Sequence, residues 1–213
     1  MSFHFPCFRF DEVDQSPDRP GIYAWYHEVR ITSAEVDRFV ERVQSLSPDD
    51  RREHVESYLR QRVFEPYKES PYAVDLKGAL KPAYGGKIAH QPHISEATID
   101  ALVESPQGIR EIRDLLHRMV PVFSSPIYIG VATRSLRIRL LQHQKMLAEY
   151  RESPVSNPPT DESHSFAYDA VCERGLSPHD LIVYTLETPV SKKMQLVAEY
   201  IFNRLNYPLC GRR

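Results

Sequence analysis

Apolar residues recur along this chain in two rhythms, and the rhythms separate its elements. Gly21 to Tyr26, GIYAWY, is dense in aromatic and β-branched residues after Pro20 and predicts a strand. From Ser33 to Leu46 the rhythm changes: Val36, Phe39, Val40, Val43 and Leu46 fall on one helical face behind Ser33 as a cap. Ser47-Pro48-Asp49-Asp50 starts a second helix, which carries Val55, Tyr58, Leu59 and Val63 until Pro66 stops it. Tyr72 to Leu76 predicts a short strand, and LKPAYGGKI after it a Pro/Gly turn region. Helices are expected over Ser95–Glu104 and from Pro106, the latter with Ile109, Ile112, Leu115, Leu116 and Met119. Pro126 to Val131, PIYIGV, predicts a buried strand. A helix from about Ser135 follows, with Leu136, Leu140, Leu141 and Leu147 inward. Residues 153–163 are a polar loop, Phe166 to Cys172 a short helix, Leu181 to Leu186 a strand, and Ser191 to Leu205 a final helix.

This order predicts an α+β fold: a small mixed or antiparallel sheet flanked by helices, in one domain spanning 1–213. The largely helical stretch 27–124 is then an insertion between two strands of that sheet. The length suits this reading, since 213 residues make one domain with a large insertion.

Composition adds boundaries. Hydrophobic residues make up 41% and charged residues 26%, an ordinary globular balance, and the net charge is −2. No global basic excess announces a nucleic-acid partner. Basic charge instead gathers in two places. Arg134, Arg137, Arg139, Lys145 and Arg151 stand against Glu149, and Lys192, Lys193, Arg204, Arg212 and Arg213 stand against Glu199. The three cysteines, Cys7, Cys172 and Cys210, form no C-x-x-C pair and no disulfide framework, so a reducing cytoplasm is the default expectation. The N-terminus lacks the pattern of a signal peptide, and no apolar run reaches membrane-span length, so no membrane association is expected.

Two strings stand out as chemistry: Gly21-Ile22-Tyr23 and Tyr128-Ile129-Gly130. Either alone is a common strand fragment. Arg139 and His143 follow the second on one helix face, four residues apart, and Leu140 after Arg139 completes an Arg-Leu pair. Glu199 is the only acidic residue of the last helix, and Pro208 follows its end. In that order and spacing the five positions resemble the GIY-YIG nuclease superfamily. The resemblance covers about 20–26 and 126–212 and says nothing of the insertion. It departs from the family's pattern at Gly211, where an Asn is usual; Asn203 or Asn206 are the alternatives nearby.

The resemblance implies a metal-dependent endonuclease with DNA, more than RNA, as substrate, in a range of roles that includes restriction and defence against phage. It implies Tyr23 as the base that activates water, its high pKa lowered by nearby metal or cations, and Tyr128 as the group that positions water or phosphate. It implies Arg139 as a phosphate fork, His143 as orienter of Tyr23 or proton shuttle, and Glu199 as the anchor for Mg²⁺ or Mn²⁺. Phosphodiester hydrolysis suits such a set. One carboxylate plus waters is ordinary Mg²⁺ ligation, and a guanidinium forks two donors onto phosphate oxygens. Arg134, Arg137 and Lys145 flank the motif and are expected to touch the substrate backbone. A homodimer is the natural assembly for a double-strand cut at a palindrome.

The remaining features favour plainer readings. Tyr23, Tyr128 and His143, each taken singly, are ordinary strand aromatics and a surface histidine. His90 and His93 form an H-x-x-H pair without a third ligand at zinc-site spacing. Gly85-Gly86-Lys87 lacks the rest of a phosphate loop and reads as a turn. A non-catalytic binding or interaction module on the same fold, or an RNA-cleaving enzyme, remains the competing class.

Overall fold

A computed structural model of the chain describes residues 5–69, 72–78, 81–89, 93–155, 165–188 and 191–210. Gly211, His90 and most of the predicted 153–163 loop lie outside them. The fold is α+β, and its main sheet is antiparallel throughout. Four strands, β1 (Cys7–Arg9), β2 (Gly21–His27), β5 (Tyr128–Ala132) and β6 (Leu181–Glu187), lie in the order β1-β6-β2-β5. A separate hairpin joins β3 (Tyr72–Gly78) to β4 (Lys81–Ile88). The chain forms two compact units. One comprises the chain up to Thr32 together with the chain from Arg110 onward, and the other is Ser33–Ile109.

The second unit holds α1 (Ser33–Ser45), α2 (Pro48–Leu59), α3 (Glu96–Glu104) and the hairpin. Its core is the apolar stripe expected from the sequence: Val36, Phe39, Val40 and Val43 on α1, with Val55 and Leu59 on α2 and Ile99 and Leu102 on α3. Ser47 caps α2 by accepting from the Asp50 backbone N–H, with Pro48 in the first turn. LKPAYGGKI, read as a turn, is strand β4 for most of its length. Gly85 and Gly86 pair there with Asp75 and Val74, so a neighbouring strand overrode the local turn signal.

In the first unit, α5 (Leu136–Glu152) packs Leu136, Leu140, Met146 and Leu147 onto the sheet face that carries Tyr23 and Trp25. α6 (Ser165–Tyr168) and the wider turn Asp169–Glu173 close that core with Phe166, Ala167, Ala170 and Val171. α5 begins where the chain satisfies its free N–H groups. Ser135 Oγ accepts from Ile138 N, and the carbonyls of Arg19 and Pro17 accept from Leu136 N and Arg137 N. Leu141, expected inward, is exposed, because α5 has one buried face and Leu141 lies off it. Leu115 and Met119 on α4 (Gly108–Phe123) are likewise exposed. Strand β1 has no alternating signal of its own. It exists because β6 offers an edge, pairing Cys7, Phe8 and Arg9 with Tyr184, Val183 and Ile182. No helix of the described residues is long and apolar enough to cross a membrane.

Candidate functional site

Register alone brings the two tyrosine strings together. Tyr23 of β2 lies directly opposite Gly130 of β5, and Trp25 opposite Tyr128. Directly paired residues point to the same face, so Tyr23, Trp25 and Tyr128 share one side of the sheet. Their glycines have a steric reason. A Cβ on Gly130 would lie 2.5 Å from the Tyr23 hydroxyl and 2.7 Å from Tyr128 Cε1. A Cβ on Gly21 would lie 2.4 Å from the Leu186 carbonyl oxygen. Gly130 is the floor on which both tyrosine rings rest.

α5 supplies the next two groups. His143 is 1% exposed and its Nε2 is 3.1 Å from the Tyr23 hydroxyl. Its ring lies stacked toward Trp25, with Phe166 at 5.1 Å and Tyr128 at 5.6 Å between centroids. One turn earlier, Arg139 Nε donates to the Tyr23 hydroxyl at 3.4 Å, and its Nη1 donates to Gln142 Oε1 at 3.3 Å. Arg139 also hydrogen-bonds Tyr128. α7 (Lys192–Asn206) runs beside the edge strand β5, where the half-buried Glu199 carboxylate accepts the Val131 backbone N–H. The charges of Glu199 and Arg139 are felt at both tyrosines. Tyr23, Tyr128, Arg139, His143 and Glu199 therefore converge on one place.

The electrostatics depart from expectation at Tyr23. Burial raises its pKa, and the Tyr128 neighbour adds to this; the charge and hydrogen bond of Arg139 oppose the rise without cancelling it. Among the chain's own groups, then, the Arg139 cation does not outweigh burial at Tyr23. Tyr128 is raised too, by burial and then by Glu199. Burial, reinforced by the Arg139 charge, pushes His143 down to about 3, so the imidazole is neutral. Burial raises Glu199, against the pull of Arg139 and the Val131 N–H.

The other expected substrate contacts are dispersed. Arg137 Nε is taken by the Ser16 carbonyl at 2.9 Å, which ties α5 to the loop before β2. Lys145 lies exposed, 3.8 Å from Glu149. Arg134 is exposed at the start of α5. His93 is exposed as well. Several contributors escaped the sequence reading. Trp25 and Phe166 enclose His143, and Thr185 stands opposite Tyr23 on β6. The signal for Trp25 was present, since it follows Tyr23 at strand spacing; Phe166 and Thr185 arrive by tertiary pairing that no local pattern encodes. A cavity of about 430 Å³ opens on the other sheet face, lined by Ile22, Ala24, Tyr26, Leu186 and Phe202 among others. That mostly apolar lining offers little to a phosphate; Tyr23 borders it, but its side chain belongs to the opposite face with the rest of the titratable cluster.

No group of three acidic, histidine or cysteine side chains that could hold a metal occurs among the described residues. A lone half-buried carboxylate fits a hard, largely hydrated ion of the Mg²⁺ kind and does not fit a structural zinc site. Comparisons with protein-family models, curated proteins and solved structures find no match to this chain.

Proposed function

We propose that this cluster hydrolyses phosphodiester bonds as a metal-dependent endonuclease of the GIY-YIG type, with DNA as substrate. One observation carries the reading: the Tyr23 hydroxyl is held between His143 Nε2 at 3.1 Å and Arg139 Nε at 3.4 Å, on the same sheet face as Tyr128. Such a triangle has a use in proton transfer to and from oxygen. A buried tyrosine in a packed core ordinarily needs one partner for its hydroxyl, and here a neutral base and a guanidinium both reach it.

On this reading Glu199 would hold the divalent ion, which supplies Lewis-acid stabilisation of the phosphoryl oxygens. Arg139 neutralises charge on the same phosphate and keeps the Tyr23 oxygen oriented. Tyr23 is protonated at neutral pH, so it accepts the proton of the attacking water only while passing its own proton to His143 Nε2. The neutral imidazole leaves that site free to accept when the ring proton sits on Nδ1. Tyr128 lies beside them, half-buried and hydrogen-bonded to Arg139, and on this reading would position the water or the phosphate.

A second reading has its own observation. Tyr23 is 1% exposed, so in this conformation water does not reach its oxygen freely. A non-catalytic nucleic-acid-binding module would tolerate that burial. Cleavage of plasmid DNA and structured RNA with Mg²⁺, Mn²⁺ or chelator separates the readings. Wild type is expected to cut with metal only, and Glu199→Gln and Tyr23→Phe to lose about 10²-fold or more. Binding without cleavage under every metal condition refutes the enzyme, and full activity in Glu199→Gln refutes the metal anchor.

A further inference from the structure

α7 is amphipathic in the opposite sense from an ordinary surface helix. Gln195, Glu199 and Asn203, spaced four residues apart, run along its inner side, with Ala198 and Phe202 beside them. Gln195 is 1% exposed and donates to Thr188 Oγ1 at 2.9 Å. Asn203 Nδ2 donates to the Glu199 carbonyl at 3.0 Å. The outer stripe is Met194, Val197, Ile201 and Leu205, at steps of three, four and four, with Leu196 and Tyr200 beside it. All six are exposed, from 45% at Val197 to 71% at Leu205. Gln195 is the helix's one buried residue, and Phe202, still 40% exposed, is the large apolar side chain that α7 turns toward its own sheet. A surface helix normally buries its apolar stripe and shows the polar one.

We infer that this outer stripe is a self-association surface, on which α7 of a second copy of the chain docks about a two-fold axis. Three observations select that occupant. The uncovered parts of the six side chains amount to on the order of 600 Å² before any rim, at the top of what a monomer exposes in one apolar patch and near the ~800 Å² of one partner's share in a standard interface. The three-four-four spacing is that of a helix-to-helix seam. Met194, Val197 and Ile201 carry no charge between them, because Glu199 is turned inward, Lys192 and Lys193 stand at the start of the helix and Arg204 lies at the margin, 5.5 Å over the Tyr200 ring; so apolar a seam is poor material for a phosphate backbone. A two-fold lets one such seam satisfy another, with Val197 of each copy meeting Ile201 of the other near the axis.

The inference does not rest on the nuclease reading, since association is measured without metal or nucleic acid. Sedimentation velocity of the full chain across the micromolar range is expected to show a concentration-dependent dimer. Val197→Glu and Ile201→Glu are expected to sediment as monomers with unchanged far-UV circular dichroism, because both positions face outward and a charge there costs the monomer little. A wild type that stays monomeric throughout overturns the inference, and so does a dimer that survives both substitutions. A monomer that instead pelleted with anionic phosphatidylglycerol vesicles would overturn it in favour of a lipid surface. A dimer that cuts no nucleic acid supports this interface while refuting the proposed activity.

Discussion

Replacing His143 should change the sign of its effect on stability between neutral and acid pH. The imidazole is buried among Tyr23, Trp25, Tyr128 and Phe166, and its pKa falls from an ordinary 6.5 to about 3. A group depressed on folding contributes stability that is complete above its unfolded pKa and is lost as pH falls toward the folded one. At pH 4 the unfolded chain is protonated here while most folded molecules are not. That gap of roughly 2.5 units, at about 1.4 kcal/mol each, puts the folded state at a disadvantage of about 3 kcal/mol. Against a total of about 5–15 kcal/mol for a domain, one side chain then accounts for much of the acid sensitivity.

His143→Phe removes the titration and keeps a ring in the aromatic cage. It also deletes the bond to the Tyr23 hydroxyl, at a cost of about 1 kcal/mol. The variant should therefore be slightly less stable than wild type at pH 7 and about 2 kcal/mol more stable at pH 4. His143→Gln should show the same flattened pH dependence while retaining a partner for Tyr23. Urea unfolding at pH 7, 6, 5 and 4 measures the difference directly, because other titrating groups are common to all three chains and cancel. Parallel loss of stability in wild type and both variants would show that His143 is not held neutral and would refute the reasoning.

Two further substitutions probe features that frame the site. Gly130→Ala puts a methyl 2.5 Å from the Tyr23 hydroxyl, so it should lower stability by about 1–3 kcal/mol and displace both tyrosines. Thermal unfolding and tyrosine fluorescence report the two effects, and an unchanged melting temperature would contradict the packing of the rings on this strand. Glu28, whose side chain is 6% exposed, receives Arg30 Nε at 2.9 Å, His117 Nδ1 at 3.1 Å and Arg9 Nη1 at 3.4 Å. Glu28→Gln should cost about 2 kcal/mol, as expected for losing charge-assisted bonds at a buried acceptor; chemical denaturation at neutral pH measures it, and a change below about 0.5 kcal/mol would mean that the three partners are satisfied elsewhere.

The sequence exposed the fold where period and pairing agree. β2, β5 and β6 carry dense apolar runs and are the three strands bearing the long cross-strand register. α1, α2 and α3 carry apolar stripes at helical spacing and bury those stripes. β1 and β4 were hidden for opposite reasons. β1 has no pattern and is recruited by an edge, and β4 carries turn residues that pairing with β3 overrode. At the site, the order of the motifs was legible and the solvation was not. Nothing in the string Gly-Ile-Tyr says that its tyrosine is buried, because Phe166, which helps enclose the site, lies in a segment far along the chain. Burial then outweighs the Arg139 cation at Tyr23. Glu28 was invisible for a similar reason: its partners come from β1, the segment after β2 and α4.

The proposed site divides into a part that is built in and a part that is brought up. Tyr23, Tyr128, Arg139 and His143 stand on β2, β5 and α5, whose neighbours are fully buried, so their mutual distances are set by the core. Packing of that quality is what holds catalytic groups in one geometry. Glu199 stands on α7, which buries one residue and meets the sheet at its edge strand. Elements with few buried apolar contacts open at lower free energy than the core they rest on. The carboxylate is therefore the component whose position is least secured by its own unit. If α7 docks on α7 as inferred, each copy supplies the apolar cover that the other lacks, and the lone acidic ligand is steadied from outside. Tyr23 completes the argument, because the same burial that makes it a poor free base also keeps His143 neutral and in contact. On the proposed reading, such a site would move a proton along the Tyr23–His143 pair without ever holding a free phenolate. Its activity should then depend on the integrity of α7 as strongly as on either tyrosine.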